Sequence, residues 1–210
     1  MKRYDVKNPR VLALLERFRY LYIDKYDLPN NTDCMGEPTD NPNDWLSSDY
    51  LSSIMTLEGY DGSPHKARSY GIKPNHYKGS DKDEYYNDFA DIDSSIMSEL
   101  GLKANALSQL YPPEGFIAWH SNANAPGYNL IFTWSETGDG WFKFIDHDGK
   151  EVHMQDKPGW TLKAGYFGTE EEGPVFHAAY TNCWRMTHSF VVARHDKEYW
   201  LDCLDYIQST

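Results

Sequence analysis

The chain has 210 residues, 40% of them hydrophobic and 15% aromatic, enough to bury one substantial core. Twenty Lys and Arg stand against 32 Asp and Glu, and the net charge of -12 argues against non-specific binding to a phosphate backbone. No window approaches the roughly 20 apolar residues of a membrane helix, and Cys34, Cys183 and Cys203, without a CxxC spacing, disfavour a disulfide framework or a zinc-thiolate site.

From the N-terminus, MKRYDVKNPR is followed by no apolar signal core, because Glu16, Arg17 and Arg19 interrupt VLALLERFRY; the expected location is the cytoplasm. Val11, Leu12, Leu14, Leu15, Phe18, Leu21 and Tyr22 recur at helical spacing and predict one amphipathic helix, with Pro9 near its start. A second helix runs from a cap at Asn43 or Asp44 through Trp45, Leu46, Tyr50, Leu51, Ile54 and Met55. A third covers about Asp83 to Leu100 and stops at Gly101. The Gly-, Pro-, Asn- and Asp-rich stretches between them are long loops of the kind that often carry function.

Near residue 105 the pattern changes to strands. ALSQLY, GFIAWHSN, YNLIFTWS, GWFKFID, KEVHMQ, GWTLKAGYF, PVFHAAYT and WRMTHSFVVAR are short runs rich in β-branched and aromatic residues, separated by turn sequences such as NAPG, ETGDG and DHDGK. KEYWLDCLDYIQ reads as a closing helix. The expected organisation is a helical, loop-rich region over 1–104, a jelly-roll core over 105–194 and a C-terminal helix over 195–210, within one compact α+β domain.

Two of the eight histidines, His120 and His177, fall in strand-like runs separated by several others. Imidazoles on separate strands of a small barrel can share its interior and hold one divalent metal. Side-chain alternation would bring Asn122, two residues after His120, to the same face. The other readings of these residues stay open: hydrogen-bonded core histidines, and Asn122 as a turn residue in SNANAPG. His147, His153, His188 and His195 read as structural or exposed.

His-x-Asp/Glu followed by a distal His is the ligand pattern of the iron(II)/2-oxoglutarate oxygenases. Over about residues 107–193 the chain resembles the prolyl-hydroxylase-like members of that superfamily, through YPPEGFIAWHSN, the distal His177, and Arg185-Met186-Thr187 in HAAYTNCWRMT. The resemblance implies a double-stranded β-helix (jelly roll) with Fe(II) on His120, Asn122 and His177, and 2-oxoglutarate as co-substrate. Arg185 would take its outer carboxylate, with Thr187 and Tyr128 as further co-substrate contacts. The implied activity is hydroxylation of a small molecule or a protein side chain. Asn122 departs from the family's carboxylate. Glu136 or Asp139 would compensate, or water or an anion would fill the position, as in halogenating relatives. Two other outcomes remain: a metal-free jelly-roll binding or structural protein derived from that fold, or a cupin-like metalloenzyme that uses no 2-oxoglutarate.

Overall fold

The computed structural model describes residues 1–210. Eleven strands, all paired antiparallel, form two facing sheets: β1 (Lys2–Asp5), β2 (Cys34–Met35), β3 (Ala67–Gly71), β4 (Asn105–Tyr111), β5 (Gly115–His120), β6 (Gly127–Ser135), β7 (Gly140–Ile145), β8 (Glu151–Gln155), β9 (Gly159–Phe167), β10 (His177–Thr181) and β11 (Arg185–Val192). The order is β1-β9-β6-β11-β4 in the larger sheet and β5-β10-β7-β8 in the smaller one. β3 joins them, pairing Tyr70 with Leu110 on one side and Ala67 with Ile117 on the other. At the opposite seam, the Arg3 guanidinium on β1 donates to the Gln155 carbonyl on β8. This nearly closed antiparallel sheet is a jelly roll, and with its helices the fold is α+β.

The helices are α1 (Pro9–Arg19), α2 (Leu28–Asn31), α3 (Pro42–Leu46), α4 (Ser48–Met55), α5 (Lys82–Glu99) and α6 (Lys197–Gln208). Asn8 caps α1 by accepting from the Arg10 and Val11 amides. The helix passes directly into a π-helical segment, Tyr20–Lys25, so the periodic run expected as one helix changes its hydrogen-bond spacing midway. The second expected helix is two helices. Ser47 adopts an extended conformation (ψ 157°) and caps α4 through the Tyr50 amide, while Asn41 caps α3. Beyond α5, Gly101 takes φ +62°, the left-handed conformation expected of a helix stop.

The larger sheet is buried on both faces. Leu130 and Phe132 of β6, Leu162 of β9, and Met186 and Phe190 of β11 pack against Leu15 and Phe18 of α1, Ile92 and Ile96 of α5, and Leu204 and Ile207 of α6. The alternate residues of the same strands face the smaller sheet. The sandwich therefore has an apolar helix-facing layer and a separate interior, and that interior holds the candidate site. No helix is long and apolar enough to cross a membrane.

Candidate functional site

Between the sheets lies a cavity of about 340 Å³. β11 lines it with Arg185, Thr187, Ser189 and Val191, every second residue of one strand. Ile117, Ile131, Phe142, Phe167 and Ala179 give it apolar walls, and His120, Asn122 and His177 line it as well.

His120 reaches the interior because β5 is irregular. His177 pairs with His120, but Ala179 pairs with Ile117, so β5 carries one extra residue over this stretch. That bulge shifts the alternation, bringing His120 to the same side as Ile117 and leaving Trp119 to pack outside with Leu51, Ile54 and Phe176. The ring centroids of His120 and His177 are then 4.0 Å apart.

The state of both rings follows from their partners. Nδ1 of His120 lies 2.8 Å from the Ala118 carbonyl, and Nδ1 of His177 lies 2.8 Å from the Val175 carbonyl. A carbonyl only accepts, so each Nδ1 carries the proton and each Nε2 keeps its lone pair. Burial pushes His120 down to about 4, opposed by the Ala118 and His177 carbonyls. Burial, with a further push from His120, holds His177 well below the ordinary imidazole value. Both rings are thus neutral at pH 7 and fixed from behind by backbone, the arrangement in which imidazole serves as a metal ligand.

Asn122 lies beyond the end of β5, at φ +53°, so strand alternation is not what places it. The Ser121 and Asn122 amides both donate to the Gly62 carbonyl, at 3.1 and 2.9 Å. Gly62 itself has φ +85°, and a Cβ there would sit 2.6 Å from the Ala123 nitrogen, so only glycine permits this clasp. Asn122 Nδ2 comes within 3.4 Å of His177 Nε2. The two imidazoles fit a divalent ion by donor type, and the Asn122 amide would join them only through its oxygen, with Nδ2 turned away from His177; the set brings no negative charge.

The proposed substitutes for the missing carboxylate do not reach it. Asp139 accepts from Asn182 and Thr181, at the end of β10 remote from His177, and Glu136 accepts from the Trp184 amide; neither lines the cavity. Asp146, His147 and Asp148 bring ligand-type atoms within 4.8 Å of one another on the β7–β8 hairpin. There, Asp146 Oδ1 accepts from the Asp148 and Lys150 amides, so hairpin geometry accounts for the cluster.

Away from the histidines, Arg185 is 2% exposed. Its Nε donates to Asp156 Oδ2 at 2.9 Å and its Nη1 to Thr187 Oγ1 at 2.8 Å, while the guanidinium carbon lies 5.4 Å from the centre of the Tyr111 ring. Lys163, fully buried on β9, donates from Nζ to the other carboxylate oxygen of Asp156 at 2.7 Å. Burial alone would raise Asp156, but the two cations hold it below the ordinary carboxylate value. Burial lowers Lys163 to about 8 against the pull of Asp156, so it remains protonated at pH 7. The group carries two positive charges and one negative. Tyr111, also lining the cavity, has its hydroxyl pushed up to about 12 by burial and stays protonated.

Tyr128, expected at the co-substrate, does not line the cavity. It packs on the helix-facing side of β6 against Tyr166 and Trp200, at centroid distances of 4.8 and 5.0 Å, and the inward position belongs to Asn129. Asp156 and Lys163 went unrecognised in the sequence. The available signal was a lone lysine inside the otherwise uncharged run GWTLKAGYF.

No protein-family description and no curated protein matches this sequence. Among solved structures, the chain is similar to a Pseudomonas putida prolyl-4-hydroxylase, with 15% identity over 92% of this chain and 91% of that one and a TM-score of 0.43. It also shows similarity to Drosophila melanogaster CENP-C in its complex with CAL1 (9% identity, 69% of this chain and 97% of that one, TM-score 0.32). A third likeness is to a cupin-like protein of Thermotoga maritima (12% identity, 46% and 69% of the two chains, TM-score 0.23). At such identities and scores none of these bears on the reaction. The jelly roll stands on its own strand pairing.

Proposed function

We propose that this protein is an iron(II)/2-oxoglutarate-dependent oxygenase that hydroxylates a small molecule or a protein side chain. One observation carries the reading: two buried imidazoles whose Nε2 atoms are unprotonated share a cavity with Arg185, whose Asp156 partner also pairs with the buried Lys163. A divalent ion on neutral donors beside a buried positive group calls for an anionic ligand that neutralises both, and a 2-oxo dicarboxylate matches that demand.

In this reading His120 and His177 hold the metal, with the Asn122 amide as third donor or as neighbour to a water or an anion. Arg185 receives the distal carboxylate through its planar fork, held in place by Asp156 and Thr187. Tyr111, as a protonated phenol, is a further donor. Ile117, Ile131, Phe142 and Phe167 keep the space between the two ends apolar and limit water. Bound iron(II), with 2-oxoglutarate and oxygen, supplies oxidative decarboxylation to succinate and carbon dioxide coupled to oxygen insertion into a substrate C–H bond.

The neutral Asn122 favours a second reading, a binding protein that retains the cavity and has given up the metal. Anaerobic loading with Fe(II), then exposure to oxygen and 2-oxoglutarate, separates the two. The oxygenase forms succinate in an iron-dependent manner, and the His120→Ala, His177→Ala double variant does not. A wild type that retains no iron and forms no succinate is the binding protein.

A further inference from the structure

Asp156 is shared. One carboxylate oxygen takes Lys163 Nζ at 2.7 Å and the other takes Arg185 Nε at 2.9 Å, with all three side chains buried. Arg185 lines the cavity, whereas Lys163 and Asp156 stand behind it. An Arg–Asp pair alone would form a neutral unit with little pull on an anion. The lysine leaves one positive charge uncompensated in a buried setting, where unpaired charge is strongly disfavoured. Lys163 Nζ itself is covered, 5.9 Å from the centre of the Phe142 ring, so the excess charge is presented to the cavity through the Arg185 guanidinium.

We propose that Lys163 and Asp156 are positioning residues for the co-substrate: Asp156 fixes the Arg185 fork, and Lys163 sets the charge that makes the pocket select an oxo acid with a second, distal carboxylate. This rests on the oxygenase reading, and it assigns selectivity to a lysine that touches no ligand. Through an effective dielectric of about 20, a buried unit charge one residue behind Arg185 changes the affinity for an anion held on that guanidinium by on the order of tenfold or more. The effect is largest on the distal carboxylate, which would sit on Arg185, and weaker at the 2-oxo acid end. Pyruvate, which has the 2-oxo acid end and no distal carboxylate, is therefore the internal control.

The test is calorimetric titration of the full chain with 2-oxoglutarate and with pyruvate, anaerobically and with Fe(II) present, in wild type, Lys163→Met and Lys163→Arg. Lys163→Met is expected to weaken 2-oxoglutarate binding by roughly tenfold or more, to weaken pyruvate clearly less, and to be rescued by Lys163→Arg. A merely structural lysine would move both ligands together. Should Lys163→Met fail to fold, Lys163→Gln keeps a donor to Asp156 without the charge and carries the same comparison. Wild type that does not bind 2-oxoglutarate overturns the oxygenase reading. Wild type and neutral variant that bind it equally overturn the role of Lys163 and leave that reading standing.

Discussion

Three histidines are buried in the neutral state, so acid should unfold this protein earlier than its carboxylates alone would. Burial lowers His120 to about 4 and His188 to about 3, and His177 is also held well below the ordinary value. In the unfolded chain each titrates near ~6.5. Below that pH the unfolded state binds protons that the folded state refuses, so stability is full above about pH 6.5 and falls as pH drops toward the folded values. At pH 5 each histidine has contributed a loss of about 2 kcal/mol, or ~6 kcal/mol for the three, comparable with the entire stability of a typical domain. Asp93, raised by burial beside His188, opposes the loss at the lower end of the window. Urea denaturation at pH 7, 6 and 5 reads this directly. Replacing His188 with Gln should flatten the slope below pH 6 by about 1.4 kcal/mol per pH unit, one proton's share. A total fall between pH 7 and pH 5 below ~2 kcal/mol, the share of a single histidine, would refute the neutral, buried assignment.

Other outcomes follow from the same geometry. Asp156→Asn leaves two buried cations facing each other and should destabilise the chain by about 3–5 kcal/mol, measured by chemical denaturation; a change under ~1 kcal/mol contradicts the buried trio. Asn122→Asp returns a carboxylate to the metal donors at a left-handed position that Asp tolerates, so divalent metal affinity should rise by roughly tenfold or more in a competition titration. No gain would mean that the side chain does not reach the ion. Tyr128→Phe should leave 2-oxoglutarate affinity unchanged, whereas Asn129→Leu should lower it; the reverse order would put the inward face of β6 in the wrong place.

The eight strands from β4 to β11 were legible because β-branched and aromatic runs stand between strong turn sequences. Three N-terminal strands were not. KRYD in β1 is short and polar, the two residues of β2 are too few to show alternation, and β3 lies beside a long loop. At the site, His120 and His177 could be paired from the sequence, but the bulge that turns His120 inward depends on pairing with β10 and has no local signature. Tyr128 was misplaced because the larger sheet is buried on both faces. Tyr128 shares its face of β6 with Leu130 and Phe132, which pack on the helix layer, while Asn129 and Ile131 line the cavity. The Asp156–Lys163 pair joins the β8–β9 turn to the middle of β9, and only the folded geometry brings both to Arg185.

The central claim is that the two histidines and Arg185 form one site for a metal and a 2-oxo acid. An anaerobic titration with iron(II) and 2-oxoglutarate, followed by visible absorption, tests it most directly. The expected result is a weak charge-transfer band of the chelated complex in the wild type, absent from the His120→Ala, His177→Ala double variant. No band in the wild type, or the same band in both proteins, would contradict the account.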